Sequence, residues 1–311
     1  MRLEGVIAAT VTPFTKEGVN YEALRSLLEG LASEGYGLFP SSSTGEVTKL
    51  TPDERVRVAR LAVEVGGGKV PVIAGTGTGD HMSTIEMARR YRDVGVDAVL
   101  ITPPYYVQGD WAGIYAFYKK VLDAVDMPVV LYTIPLAVGY NIPAEVFDLV
   151  STEYSQVVAV KDSSGDFRYH MELIYLVGGR ISVLQGVDMF FVPSIIVGAH
   201  GGVLGGPNFL GPLQLELYRM VREGRIAEAV EIHKRLMELW RFMGGCGLTG
   251  RLGGKWPTLY KIATQIVRGI DMGPPREPLP PVDDKDREEL RRILERLAPY
   301  IKARPLEARG R

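Results

Sequence analysis

Along this chain, short apolar runs alternate with longer stretches whose apolar positions recur every three or four residues. The short runs predict strands at 6–13 (VIAATVTP), 37–44 (GLFPSSST), 70–76 (VPVIAGT), 98–104 (AVLITPP), 127–135 (MPVVLYTIP), 157–161 (VVAVK), 182–186 (SVLQG) and 201–206 (GGVLGG). The longer stretches predict helices at 21–34, 80–94, 110–125, 143–151, 167–177, 189–197 and 212–223. In the first of these, Leu24, Leu27, Leu28 and Leu31 share one face. A further helix starts at Thr51-Pro52-Asp53-Glu54, where a threonine cap, a first-turn proline and two acids coincide, and it stops at Gly66-Gly67-Gly68. Eight strand-then-helix units in succession predict an α/β fold, a (β/α)8 TIM barrel. A doubly wound open sheet is the rival, but eight evenly spaced units without a second domain speak against it.

Beyond residue 223 the strands cease. Helices are expected at 225–243, 256–268 and 283–301, the first two separated by the turn Gly244-Gly245-Cys246-Gly247. Residues 273–281 (GPPREPLPP) hold five of the twenty prolines and predict an extended spacer. The last helix carries the stripe Leu290, Ile293, Leu294 and Leu297, and residues 302–311 form a polar tail. The domain reading is a barrel over 1–223 and a C-terminal helical extension over 224–311, packed on the barrel or on a neighbouring subunit.

Charge and composition remove several function classes. A net charge of -1 over 311 residues offers no basic field for nucleic acid or an anionic membrane. No run of about 20 apolar residues is present to span a bilayer, and the N-terminus lacks a signal-peptide core. The single cysteine, Cys246, allows no intrachain disulfide, which suits a reducing cytoplasm. The four histidines, His81, His170, His200 and His233, are scattered, so no metal site is expected.

In such a barrel the active site lies at the C-terminal ends of the strands. There, Val157-Val158-Ala159-Val160 lead into Lys161 and the loop Asp162-Ser163-Ser164-Gly165. A cation ending a strand covered on both faces is partly desolvated, which favours the neutral amine. A neutral amine is a nucleophile that captures carbonyl compounds as Schiff bases. Alone, such a lysine is more often one whose stem packs and whose head reaches water, so its company on the rim decides. Ser41-Ser42-Ser43-Thr44-Gly45-Glu46 supplies hydroxyls and loop amides for a carboxylate. Pro103-Pro104-Tyr105-Tyr106 brings phenols, and Tyr132-Thr133-Ile134-Pro135 brings a tyrosine that can relay protons beside a lysine. Gly186 and Val203–Gly206 let backbone approach a ligand closely. Gly75-Thr76-Gly77-Thr78-Gly79 resembles a dinucleotide fingerprint, but its glycine spacing differs and no acid ends the next strand, so it reads as a tight barrel loop.

The order and spacing of these motifs resemble the dihydrodipicolinate synthase / N-acetylneuraminate lyase family of pyruvate-dependent class I aldolases. The resemblance runs from Thr10-Val11-Thr12-Pro13-Phe14 to about Asn208. It is carried by Ser43-Thr44-Gly45-Glu46, Leu50-Thr51-Pro52-Asp53-Glu54-Arg55, Pro103-Pro104-Tyr105-Tyr106, Tyr132-Thr133-Ile134-Pro135, Val160-Lys161-Asp162-Ser163 and Gly186-Val187-Asp188. It implies a homo-oligomer, commonly a dimer of dimers, working without metal or organic cofactor on pyruvate and a small aldehyde or keto-deoxy acid. It also implies that Lys161 is the Schiff-base lysine and Tyr132 the proton shuttle. Ser43 would link Tyr132 to Tyr106, the latter reaching across a subunit interface. Ser43 and Thr44 would hold the pyruvate carboxylate, with backbone at Gly186 and Val203 lining the pocket.

Three departures bear on substrate. Dihydrodipicolinate synthases usually place an arginine five residues after the shuttle tyrosine, where this chain has Ala137 flanked by Leu136 and Val138; an apolar side chain is a poor substitute for a bidentate guanidinium. Ser163 occupies a hydroxyl position that sugar-acid aldolases use near polyol substrates. Sialic-acid lyases tend to show Asp-Glu where this chain has Asp188-Met189. The expectation is a Schiff-base lyase making or cleaving a 2-keto-3-deoxy (sugar) acid. The alternatives are 4-hydroxy-tetrahydrodipicolinate synthase with Arg168 or Arg251 replacing the absent arginine, a keto-deoxy sugar acid dehydratase, and a non-catalytic keto-acid-binding protein.

Overall fold

Eight parallel strands pair in the order β2-β1-β8-β7-β6-β5-β4-β3, and a single parallel bridge between Leu38 and Val72 sets β2 beside β3, which nearly closes the ring. The computed structural model describes residues 2–106, 109–244 and 255–301. The strands are β1 (Gly5–Ala9), β2 (Gly37–Phe39), β3 (Ile73–Gly75), β4 (Ala98–Ile101), β5 (Val129–Thr133), β6 (Val157–Asp162), β7 (Ser182–Gln185) and β8 (Gly201–Leu204). The helices of the barrel are α1 (Tyr21–Glu34), α2 (Pro52–Gly66), α3 (His81–Val94), α4 (Trp111–Ala124), α5 (Pro135–Val138), α6 (Ala144–Glu153), α7 (Phe167–Val177), α8 (Phe191–Ile196), α9 (Pro207–Leu210) and α10 (Leu213–Arg222). The extension adds α11 (Ile226–Met243), α12 (Trp256–Arg268) and α13 (Asp284–Leu297). The predicted turn at Cys246 and the tail from 302 lie outside the described residues.

Strand alternation sorts the core into two layers. Ile7, Phe39, Ile73, Leu100, Val130 and Leu184 fill the barrel interior, while neighbours such as Val6, Leu38, Val99 and Val183 face the helices. Between β5 and β6 the register slips by one residue: Val129 pairs with Val157, but Val130 pairs with Ala159. The extra residue is Val158, and both Val158 and Ala159 belong to the interior cluster. This insertion matters for function, because a one-residue slip re-aims every later side chain. With it, Tyr132 lies beside Lys161 rather than beside Val160.

Several predicted strands are too long. The apolar runs at 6–13, 37–44 and 98–104 continue past Ala9, Phe39 and Ile101 as buried loop. Burial continues there because side chains take over the backbone hydrogen bonds: Val11 N–H donates to Asn208 Oδ1 at 3.1 Å. The predicted helix at 189–197 is a 3-10 turn over Asp188–Phe190 followed by α8. Neither α5 nor α9 was expected; each is a single turn opening on proline, too short to show a period.

The extension is pinned to the barrel by buried charge. On α12, the Arg268 guanidinium reaches Glu34 of α1 at 3.0 and 2.8 Å and the Asn208 carbonyl at 2.6 Å. Two turns earlier, Lys261 Nζ lies 3.0 Å from Glu46 Oε1 with both side chains almost fully buried. Helix α13 packs on α11 and α12.

Candidate active site

The loop after β2 is built so that its tip faces the barrel mouth. Ser42 Oγ accepts from Gly45 N–H at 3.0 Å, and Thr12 Oγ1 donates to the Gly45 carbonyl at 2.7 Å. A Cβ on Gly45 would lie 2.5 Å from the Pro40 carbonyl oxygen, so only glycine fits this turn. Glu46 follows with φ +59°, a conformation that non-glycine residues rarely hold unaided. Its carboxylate is gripped by Lys261 and by the Arg276 backbone N–H at 3.0 Å. Ser43 and Thr44 are left at the tip, and neither their N–H groups nor their hydroxyls donate to any described residue. Such unsatisfied donors form an anion-binding concavity.

Lys161 faces them from β6. It is 4% exposed, and Nζ sits 4.5 Å above the centre of the Tyr132 ring and 5.5 Å from that of Phe39. Among the described residues no carboxylate forms an ion pair with it. The Tyr132 hydroxyl donates to Ser163 Oγ at 3.3 Å. Gly186 closes against both groups, since a Cβ there would lie 2.1 Å from Ser163 Oγ and 3.0 Å from Lys161 Cε. On the outward face of β6, Asp162 holds the following turn through Ser164 N–H at 2.8 Å and His170 Nδ1 at 2.9 Å.

One cavity of about 350 Å3 brings these groups together. Lys161, Tyr132, Ser43, Thr44, Ser163, Gly186 and Val203 all line it. Tyr106 does not. It is 98% exposed on the loop after β4, with φ +77°. Within one chain the Tyr132 hydroxyl therefore meets Ser163 rather than Ser43, and Tyr106, expected at a neighbouring subunit's site, stays outside its own. The physical reason is reach: Tyr106 points out of its own barrel, whereas Ser163 follows Lys161 on the strand beside Tyr132.

Sequence reasoning missed part of the wall. Trp256 and Tyr260, four residues apart on α12, and Leu279 of the spacer line the cavity, as do Ile134, Leu136, Ala137 and Asp188. The i, i+4 aromatic pair was the available signal, but nothing in the sequence ties α12 to the barrel mouth. Asp188 is fully enclosed and accepts from Gly205 N–H, Gly206 N–H, Gln214 Nε2 and the Tyr260 hydroxyl, at 2.8 to 3.3 Å. Burial pushes its carboxyl above the ordinary range, against the pull of those donors. Burial likewise pulls Lys261 below the ordinary lysine value, opposed by Glu46.

Two other candidates resolve simply. Arg55 donates from its guanidinium to the Leu50 and Thr76 carbonyls at 3.1 and 2.8 Å, so the glycine-rich loop at 75–79 turns carbonyls inward to a buried cation. Arg168 is exposed on α7 and does not line the cavity, while Arg251 lies outside the described residues. No group of three potential ligands for a metal occurs among the described residues, and no described helix is long and apolar enough to cross a membrane.

Comparison with known proteins adds ancestry to this geometry. The model of the dihydrodipicolinate synthetase family matches residues 2–297. A DapA-like lyase of Pyrobaculum arsenaticum is 74% identical over 298 residues, covering 96% of this chain and 99% of its own. The 4-hydroxy-tetrahydrodipicolinate synthase of Methanopyrus kandleri is 33% identical, covering 95% and 97%. Among solved structures, dihydrodipicolinate synthase from Aquifex aeolicus superposes with a TM-score of 0.88 at 29% identity, covering 96% and 100%. YagE of E. coli K12, a protein of the dihydrodipicolinic acid synthase family in complex with pyruvate, gives 0.88 at 25% identity, covering 95% and 99%.

Proposed function

The chain belongs to the dihydrodipicolinate synthetase family and is a class I aldolase/lyase of it, and from that premise we propose that Lys161 forms a Schiff base with pyruvate to make or cleave a 2-keto-3-deoxy acid. The observation that carries this reading is the cavity floor, where Lys161 has no carboxylate partner among the described residues and shares the lining with Tyr132 and with Ser43 and Thr44, whose donors meet no described residue.

The chemistry follows from those placements. Ser43 and Thr44 hold the pyruvate carboxylate, which sets C2 before Lys161 Nζ. The amine adds to C2, and loss of water leaves a protonated imine. That imine is an electron sink, so the methyl group loses a proton and an enamine forms. The enamine carbon adds to an aldehyde carbonyl, whose oxygen takes a proton to become the C4 hydroxyl. Water then releases the product and restores the amine. Cleavage runs the same steps in reverse. Tyr132 moves the protons, with Ser163 as its hydrogen-bonding partner. The synthase alternative asks for a second cation to hold aspartate semialdehyde, and among the described lining residues Lys161 is the only one. In the assembled enzyme, a cytoplasmic homo-oligomer, Tyr106 enters a neighbour's site, in keeping with its exposure in the single chain.

Borohydride reduction in the presence of pyruvate tests the core of this reading. The chain should gain the mass of pyruvate less one water plus two hydrogens, with the adduct on Lys161 after peptide mapping. No gain in the wild-type enzyme, or an adduct that survives Lys161→Ala, would sink it.

A further inference from the structure

Resting on the Schiff-base reading, we propose that the aldehyde joined to or released from the pyruvate enamine carries a hydrocarbon or aromatic substituent rather than a polyol chain or a carboxylate. This keeps the 2-keto-3-deoxy acid of that reading and departs from the sugar-acid expectation drawn from the sequence. The cavity is divided. Its floor holds the hydroxyls, the lysine and the free amides. The wall beyond them is Ile134, Leu136, Ala137, Trp256, Tyr260 and Leu279.

Two polar groups at that wall, the Tyr260 hydroxyl and the Asp188 carboxylate, are engaged with protein partners. The Tyr260 hydroxyl donates to Asp188 Oδ2 at 3.0 Å. Asp188 Oδ1 accepts from Gly206 N–H and Gln214 Nε2, and Oδ2 from Gly205 N–H and Tyr260. A carboxylate has about four acceptor positions, and all are filled. Ser163 accepts from Tyr132 and keeps its own O–H on the floor beside Lys161. Hydroxyls laid against Ile134, Leu136, Ala137 and Leu279 would surrender bonds to water that those side chains do not replace, at roughly five- to a hundredfold in binding per hydroxyl. A carboxylate would fare worse, since no guanidinium is among the described lining residues.

An apolar substituent meets the opposite situation. The single turn α5 carries Leu136 and Ala137 onto the wall, and Leu136 remains 51% exposed at the mouth. Covering that side chain with hydrocarbon removes apolar surface from water on both partners. Across the opening, Trp256 and Tyr260 stand edge-on with ring centres 6.0 Å apart and offer an aromatic surface. Leu136, Trp256 and Leu279 are therefore the specificity residues.

The test measures kcat/KM for the full-length enzyme with saturating pyruvate and a panel of isobutyraldehyde, benzaldehyde, glyceraldehyde and aspartate semialdehyde. At least one of the first two should exceed both polar aldehydes by about a hundredfold or more. Borohydride trapping with pyruvate alone runs beside it and reports the Schiff base independently. Absence of the adduct defeats the underlying reading. An adduct accompanied by a preference for glyceraldehyde or the semialdehyde, or by no turnover of the apolar aldehydes, overturns this proposal and leaves the Schiff base standing. Leu136→Ser should shrink the apolar-to-glyceraldehyde ratio about tenfold while the pyruvate adduct still forms. An unchanged ratio removes α5 from the specificity wall and refutes that assignment.

Discussion

Replacing Lys261 with methionine asks whether the C-terminal extension holds the substrate loop in place. Lys261 Nζ lies 3.0 Å from Glu46 Oε1, with side chains 2% and 0% exposed, and it also donates to the Pro274 carbonyl at 3.0 Å. Methionine keeps an unbranched apolar stem beside Phe14, whose ring centre is 4.3 Å from Nζ, so the loss is chiefly of charge. Glu46 is then left buried with the Arg276 N–H as its remaining described donor. Stranding one member of a buried ion pair costs about 3–5 kcal/mol. At roughly 2–4 °C per kcal/mol, the unfolding midpoint falls by roughly 6–20 °C. Arg25→Met sets the baseline, because the Arg25–Glu64 pair is half exposed on both sides and such pairs contribute under about 1 kcal/mol. The double variant Glu46→Gln/Lys261→Met removes the stranded charge and should regain much of the loss. Lys261 acts on catalysis as a positioning residue. Thr44 and Ser43 stand two and three residues before Glu46, so a loosened Glu46 moves the carboxylate donors. Part of one charge-assisted hydrogen bond is at stake, which raises KM for pyruvate about tenfold and leaves kcat within about threefold. Thermal unfolding followed by circular dichroism, with steady-state kinetics on the same samples, reads both effects. A midpoint no lower than that of Arg25→Met, or a fall in kcat at unchanged KM, refutes the reasoning.

Three further changes probe the site and its frame. Tyr132→Phe should form the pyruvate adduct but lower kcat by ~10²–10⁴-fold; full turnover in stopped-flow or steady-state assays would remove the shuttle role. Gly186→Ala places a methyl group 2.1 Å from Ser163 Oγ and 2.8 Å from the Asp162 carbonyl oxygen. Overpacking of this kind costs about 1–3 kcal/mol, and displacement of Lys161 should slow adduct formation in a borohydride time course; a wild-type trapping rate would show that the wall yields freely. Burial holds the His200 imidazole below its ordinary value, and its Nδ1 accepts the Val183 N–H at 3.1 Å. A folded value below the unfolded one means that the unfolded chain binds more protons, so stability falls as pH drops below about 6.5 toward the depressed value. His200→Asn should flatten that slope in unfolding midpoints taken between about pH 5 and pH 7.5, and an unaltered slope would assign it elsewhere.

The barrel was legible because each strand–helix unit writes two different periods into the sequence, and the helices 167–177 and 256–268 were bounded as observed. Strand ends were not, because hydrophobicity tracks burial, and the buried loops at 10–12 and 40–44 are as enclosed as the strands before them. The floor of the site was legible for a related reason: polar residues placed where apolar strands end have little to do but meet a ligand. Ser43, Thr44, Tyr132, Lys161 and Gly186 were visible in this way, and the structure gathers them. The wall was not. Trp256, Tyr260 and Leu279 lie more than ninety residues beyond Lys161 in the chain, and only the tertiary contacts of α12 bring them back. The bond from Tyr132 to Ser163 was not legible, because it depends on the register, and the register depends on one inserted valine.

Two lysines are buried among the described residues, and the contrast between them separates burial from reactivity. Lys161 is 4% exposed and Lys261 is 1% exposed. If desolvation alone made a nucleophile, Lys261 would be at least as good a candidate. Its nitrogen, however, is committed to Glu46 and the Pro274 carbonyl, and it does not line the cavity. Lys161 has aromatic faces for neighbours and open space in front of it. A nitrogen engaged by a carboxylate and a carbonyl has no room for a ligand, whereas one that faces open cavity can meet a carbonyl carbon. On the proposed reading the two residues divide the work, one fixing the loop that would bind the carboxylate and the other attacking the carbonyl next to it. A lysine-specific acylating reagent applied to the native enzyme should then modify Lys161 and spare Lys261, and pyruvate should protect Lys161. Labelling of Lys261 first would break the distinction.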